Sequence, residues 1–318
     1  MASPRIVSLL PSATEIVASV GHRDGLVGRS HECNFPLGVE ALPVCTRPRV
    51  KLDGSSLEIN RNIKELVGKV LSVYEVLNDT LKETSPEVIV TQNLCEVCAV
   101  ALPDVEAAVS DWVGGDIDIV SLNAESISAV YDDIRRVADT LNAMDAGAVV
   151  VDRMQTRFAE IAERAAGLDD RPRVACIEWA EPLMAAGNWI PEFVEAAGAE
   201  NLFGRAGEHS HWLEWEALLD ADPDVIVLMP CGYDLKRTRE EAKLLARNSR
   251  WGDLQAVRDG QVYVTDGNAF FNRPGPRLKE SLEMMAEMIH PDHFSFGHAG
   301  HGWARLPPTA QAHGATLA

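Results

Sequence analysis

The sequence is poor in positive charge. Its 318 residues carry 48 acidic side chains against 29 Lys and Arg, a formal net charge of −19. Such a surface repels polyanions, which excludes nucleic acid and anionic membranes as partners. Long apolar runs are also missing. A spanning helix needs a window of about 18 apolar residues, and none occurs, so no membrane insertion is expected. The start, MASPRIVSLLPSATEIV, lacks a basic segment, and its apolar stretch is cut at once by Pro11-Ser12. That is not a secretory leader, and the expected location is the cytoplasm unless a leader has been removed. Six scattered cysteines make no disulfide framework and read as reduced thiols. Catalytic signatures are missing too. There is no G-x-S-x-G elbow, no phosphate loop, no G-x-G-x-x-G after a strand and no H-E-x-x-H, so an enzyme is not expected. Glu178 and Glu181 lie three apart after a strand; an acid/base pair, a turn and contacts to ligand amides explain them equally well.

What is present is alternation. Short apolar runs read as strands at Arg5–Leu9, Leu26–Gly28, Glu87–Thr91 and Asp118–Leu122, with helical spacing at 60–81 and 126–143. Ser12-Ala13-Thr14-Glu15 has the form of a capping box opening a helix that Gly21 closes. The second half replays this order, with strands at Arg173–Ile177, Asp224–Met229 and Gln261–Thr265 and helices at Ile190–Ala197, Trp215–Ala221 and Leu278–Ile289. SPEVIVTQNLC and DPDVIVLMPC echo one another: an acidic-flanked proline, a β run and a cysteine loop. Strands alternating with helices give parallel sheets covered on both faces.

The expected fold is α/β, with two similar three-layer αβα lobes. Residues 1–144 form the first lobe and 169–290 the second. Between them Asp145–Leu168 repeats Val149, Met154, Phe158, Ile161 and Ala165 at helical spacing. One helix of about 20 residues would span about 30 Å and serve as a stiff connector. Residues 291–318 are rich in Gly, Pro, Ala and His without apolar periodicity and read as an extended or disordered tail, its histidines in solvent.

Ligands of open parallel sheets bind beyond the carboxyl ends of the strands. Two lobes on one connector then place a ligand cleft between those ends. The loops concerned supply the candidate contacts Pro11, Ser12, His31, Glu32, Phe35, Cys95, Trp179, Trp189, Tyr233, Phe270, Phe271 and Arg273. Aromatic rings with a few polar groups suit a large, flat, partly apolar ligand. Cys95-x-x-Cys98 admits three readings: pocket wall, redox pair, or half of a metal set completed by His31 and Cys33. His31 likewise suits three roles: ligating a transition metal, hydrogen-bonding a ligand amide, or capping its loop. Trp189, Phe270 and Phe271 either stack on ligand or fill packing. Arg273 and Arg277 pair either with the connector helix's acidic groups or with ligand.

RIVSLLPSATEIVASVG, LVGRSHECNFP, PEVIVTQ, PDVIVLMPCG and FFNRPGPR, with the mid-chain helix, resemble the solute-binding proteins of ABC importers that have a rigid helical linker. HECNFP and LCEVCAV are similar to the leaderless, cobalamin-binding subgroup. The resemblance covers roughly residues 4–290. It implies two lobes with little hinge motion, binding without chemistry and no required cofactor. The implied ligand is a corrinoid such as cobalamin or a similar metal chelate, contacted by the loops around His31 and 270–273. An ABC permease is the implied macromolecular partner, and the missing leader pattern counts against it. Two alternatives remain: a metal or thiol enzyme using His31, Cys33, Cys95 and Cys98, and capture of a siderophore or metal ion.

Overall fold

The computed structural model describes residues 3–49, 54–67, 73–92, 102–109 and 117–307. The chain divides into two compact units. The first comprises Met1–Arg157 with Arg273–Leu278, and the second Phe158–Asn272 with Lys279–Ala318.

In the first unit the elements run β1 (Ile6–Ser8), α1 (Pro11–Ser19), β2 (Leu26–Arg29), β3 (Thr46–Pro48), α2 (Ser56–Val67), β4 (Tyr74–Val76), α3 (Asn78–Glu83), β5 (Val88–Gln92), α4 (Leu102–Val109), β6 (Asp118–Leu122) and α5 (Ile127–Thr140). The sheet order is β2-β1-β5-β6, all parallel, with Ile6 beside Leu26 and Val88, and Val88 beside Asp118. β1 and β5 are buried at every position, as strands covered on both faces must be. Val7, Leu9, Ile89, Leu81 and Tyr74 meet in this unit's core.

Two expectations fail here. The spacing over 60–81 predicts one helix, but α2 ends at Val67 and β4 and α3 follow. Val73 and Tyr74 are buried, and β4 pairs antiparallel with β3, so tertiary pairing of β-branched and aromatic residues overrides the local period. The capping box is absent as well. Leu10 is the N-cap, Pro11 takes the first helical position where its missing N–H costs nothing, and no side chain caps the end. Glu15 points instead to two guanidinium groups, which bind a carboxylate more strongly than an amide does.

One continuous 22-residue helix, α6 (Met144–Ala165), carries the chain from the first unit into the second. Its buried stripe is Val151, Met154, Ile161 and Ala165, whereas Val149 is exposed. Gly147 sits where a Cβ would meet the Ala138 methyl at 2.5 Å, so α5 and α6 approach more closely than a side chain there allows.

The second unit contains β7 (Arg173–Trp179), β8 (Met184–Ala185), α7 (Ile190–Ala196), β9 (Glu200–Asn201), β10 (His211–Trp212), α8 (Trp215–Ala221), β11 (Val225–Leu228), α9 (Leu235–Leu245), α10 (Gln255–Arg258), β12 (Val262–Thr265), α11 (Leu278–Ile289) and β13 (Trp303–Arg305). Its sheet runs β10-β8-β7-β11-β12-β13, with β9 also paired to β7. The central strands are parallel, as expected, but β8, β10 and β13 are antiparallel additions, so the sheet is mixed.

The tail expectation is corrected over 291–307. Phe294 is buried, and β13 pairs with β12. Glu287 accepts from the amides of Phe296 and Gly297 and from Trp303 Nε1, and His298 Nε2 lies 2.7 Å from Glu283 Oε2. His290 is buried too, while His293 and His301 are exposed. A three-residue edge strand among glycines leaves no period to read, so α11's two carboxylates fix this segment unannounced. Residues 308–318 lie outside the described part.

Candidate functional site

In the first unit, β1 and β2 run parallel, so the loops after Ser8 and Arg29 leave the same sheet edge. The Ser30 amide donates to the Ser8 carbonyl at 2.8 Å, anchoring the second loop to the end of β1. His31 follows. Its backbone amide donates to Thr46 Oγ1 at 3.1 Å, its Nδ1 lies 2.8 Å from the same oxygen, and that hydroxyl donates to Ser30 Oγ at 3.2 Å. With the Thr46 proton committed to Ser30, Nδ1 must carry the proton toward Thr46, and Nε2 keeps its lone pair. Nε2 is buried and has no hydrogen-bond partner among the described residues. Burial first, then the nearby Arg29 charge, lowers the His31 pKa to about 4, so the ring is neutral at pH 7. Tyr74 stands beside it with ring centroids 5.3 Å apart, and its hydroxyl donates to Glu32 Oε1 at 3.4 Å. Burial raises the Glu32 carboxyl to about 7, against the opposing pull of Arg273 and that hydrogen bond.

Arg273 and Arg277 belong to the segment that returns to the first unit. Arg273 Nη1 binds Glu15 Oε1 and Asn34 Oδ1, each at 2.9 Å, and Arg277 forks onto both Glu15 oxygens at 2.8 and 2.5 Å. The Arg277 guanidinium also lies 4.1 Å over the Phe35 ring. Beside this cluster Glu15, Ala18, Arg23, Phe35 and Pro276 line an open recess of about 280 Å³.

In the second unit the matching edge is built at the end of β7. Glu178 accepts from Ser210 Oγ at 2.6 Å, and Ser210 Oγ accepts from the Gly187 amide at 2.9 Å. A Cβ at Gly187 would meet the Glu208 carbonyl at 2.4 Å, so only glycine allows this crossing. Burial raises the Glu178 carboxyl to about 7. Trp179 and Tyr233 pack with centroids 5.3 Å apart, and the Arg237 guanidinium covers the Tyr233 ring at 3.7 Å. Asn272 Nδ2 donates to the Met229 carbonyl at 2.8 Å, holding the π-helical turn Gly267–Phe271 against the end of β11.

The structure thus brings His31 and Glu32 together in one unit and Trp179 and Tyr233 together in the other. Pro11 and Ser12 open α1, and the buried Ser12 Oγ has no partner among the described residues. Phe35 is exposed and Phe270 half-buried. Three candidates are spent on packing. Phe271 is fully buried, the Trp189 indole donates to the Phe271 carbonyl at 3.0 Å, and Arg273 is bound to Glu15 and Asn34. Cys33 turns inward, accepting from Thr14 Oγ1 at 3.0 Å with its thiol pKa raised by burial, so it does not join His31 in a metal set. Cys95 and Cys98 lie outside the described residues. No cluster of three metal-ligating side chains occurs among the described residues. Likewise no described helix is long and apolar enough to cross a membrane. Sequence reasoning missed Thr46, Tyr74, Glu15 and Ser210; each acts across a gap in sequence that no local pattern marks.

A model of the periplasmic binding protein family matches residues 6–269. The chain belongs to this family. It is similar to an uncharacterized ABC transporter substrate-binding lipoprotein of Bacillus subtilis, 26% identical over 298 residues, covering 91% of this chain and 81% of that protein. A cobalamin-binding protein of Halobacterium salinarum is 24% identical over 290 residues, covering 90% and 69%. Among solved structures, a periplasmic heme-binding protein of Pseudomonas aeruginosa shares the fold with a TM-score of 0.70 at 19% identity, covering 92% of this chain and 94% of that one. The architecture is the two-lobed α/β fold of the family, and its function is solute binding of the kind that serves ABC transporters.

Proposed function

We propose that the solute is a corrinoid, held without chemical change by the loops at the carboxyl ends of the parallel strands. The observation that carries this reading is the chemistry of those edges. Each unit carries aromatic rings and a carboxyl that burial raises to about 7 near one strand end: Tyr74 bonded to Glu32 beside His31, and Trp179 packed on Tyr233 where β7 ends with Glu178. Half-protonated carboxyls donate and accept hydrogen bonds without demanding a counter-charge, which suits the neutral amide rim of a corrin. A siderophore or a carboxylate-bearing porphyrin calls for cations, and Arg273 and Arg277 are already bound to Glu15. The similar cobalamin-binding protein of Halobacterium salinarum supports the same choice.

Calorimetric titration with cyanocobalamin tests the reading, with hemin and a ferric siderophore as comparators. A single saturating site near micromolar affinity, about −8 kcal/mol, is expected for the corrinoid. Saturation by hemin or siderophore with no corrinoid heat overturns the assignment.

A further inference from the structure

We propose that the outward face of α9 is a docking surface for an acidic segment of a partner protein. The inference is independent of which solute the protein binds.

Positive charge is scarce in this chain, which has 29 Lys and Arg and a net charge of −19, yet residues 234–250 hold six of those cations against three acidic residues. Two of the six are engaged within the fold: Arg237 covers the Tyr233 ring at 3.7 Å, and Arg250 pairs with Asp253. The other four, Lys236, Arg239, Lys243 and Arg247, are exposed. Arg247 sits on the turn that continues α9, its amide donating to the Leu244 carbonyl at 3.1 Å. With about 100° between successive residues, the four fall within about 80° of one another around the axis and form a stripe about 16 Å long. The buried residues Thr238, Glu241, Ala242 and Leu245 occupy the opposite side. Among the described residues Lys243 alone of the four makes an ion pair, with Glu240 at the margin of the stripe.

Helix stability does not account for this placement. A helix favours acidic residues in its first turn and cations in its last. Lys243 and Arg247 obey that preference. Lys236 and Arg239 oppose it, for α9 has no acidic residue in its first turn and only the capping Asp234 ahead of it. Cations set against the macrodipole on an exposed face are explained by something that binds them.

The chemistry of the occupant follows from the size of the stripe. At physiological salt, charges more than about 8 Å away are largely screened. A partner that touches only this face meets local positive charge. An anionic bilayer or a long nucleic acid would press on the acidic remainder of the surface as well. One acidic helix or strand of a protein fits the stripe, and the guanidinium groups of Arg239 and Arg247 are shaped to fork onto its carboxylates. α9 follows the Pro230–Tyr233 loop at the end of β11, so such a partner would stand beside the ligand edge without filling it.

The test uses a fluorescein-labelled helical peptide of about four turns with glutamate at every third or fourth position, titrated by anisotropy. Its comparators are the same peptide with glutamine for glutamate, phosphatidylserine vesicles and a short DNA duplex. Wild type should bind the acidic peptide one to one and ignore the glutamine peptide. Raising salt from about 50 to about 300 mM should weaken binding about tenfold or more. The quadruple variant Lys236→Gln, Arg239→Gln, Lys243→Gln, Arg247→Gln should weaken it to a similar degree. Arg239→Gln alone should weaken it severalfold, which keeps the test decisive if the quadruple variant is poorly folded. In a separate readout, Lys236→Glu should raise the melting temperature slightly, because it restores an acid to the first turn. No binding of the acidic peptide at low salt, or binding that Arg239→Gln and the quadruple variant leave unchanged, overturns the proposal. Vesicles or duplex bound more tightly than the peptide overturn the choice of an acidic protein segment.

Discussion

Replacing Glu15 with Leu should damage the first unit more than any surface change. The Glu15 side chain is 2% exposed, and its partners Arg273 and Arg277 are 3% and 16% exposed. Removing the carboxylate strands the Arg273 guanidinium in a site with almost no water. Breaking a buried pair from one side costs about 3–5 kcal/mol, a third or more of a typical domain's stability. For a unit of this size each kcal/mol moves the midpoint by about 2–4 °C, so a fall on the order of 10 °C is expected. Arg277→Leu should cost less, because Glu15 keeps Arg273, although the stacking over Phe35 goes too. The double variant Glu15→Leu, Arg273→Met should recover most of the loss, because no uncompensated buried charge remains and Arg277 can turn toward water. Scanning calorimetry reads all three. A Glu15→Leu midpoint within about 2 °C of wild type would refute the argument, as would a double variant worse than the single one.

Further outcomes follow from the second unit. The hydrogen bond that His298 donates to Glu283 raises the His298 pKa; burial opposes it, and the charges of Glu283, Glu287 and Glu280 add to the rise, with His301 close by. The protonated pair therefore stabilises the 298–305 segment at low pH, and this contribution is lost as pH rises through the folded-state pKa. Hydrogen exchange at β13 should be slower at about pH 5.5 than at about pH 8.5 after correction for intrinsic rates, and Glu283→Gln should flatten the difference. At Glu178 the neutral form is the favoured one, and the pH trend has the same sign. Its folded pKa is raised to about 7, so the folded state holds a proton that the unfolded state releases, and stability declines as pH climbs from the unfolded value toward 7. Glu178→Gln keeps the Ser210 bond without the charge and should gain stability relative to wild type as pH increases; an unchanged pH slope in melting temperature refutes this. Gly187→Ala should unseat Ser210, because the added methyl overlaps the Glu208 carbonyl, and is expected to lower thermal stability and corrinoid affinity together.

The sequence alone determined the parts whose cause is local. A parallel strand covered on both faces reads as a near-continuous apolar run, so IVS, VIVTQ and VIVL announce β1, β5 and β11 without help. α8 and α11 match their expected limits, and α6 is legible because about four turns of apolar spacing outlast any ambiguity of period. The position of the candidate loops follows from parallel topology, which is why His31 and Trp179 stand among the candidates. Their partners were not. Thr46 lies 15 residues beyond His31, Ser210 lies 32 beyond Glu178, and Arg273 lies 258 beyond Glu15. Hydrogen-bond geometry and desolvation depend on distance in space, and no local period encodes a distance between segments so far apart. Tertiary structure alone decided that Glu15 binds arginines instead of capping its helix, that residues 298–305 form an edge rather than a loose end, and which nitrogen of His31 is left bare.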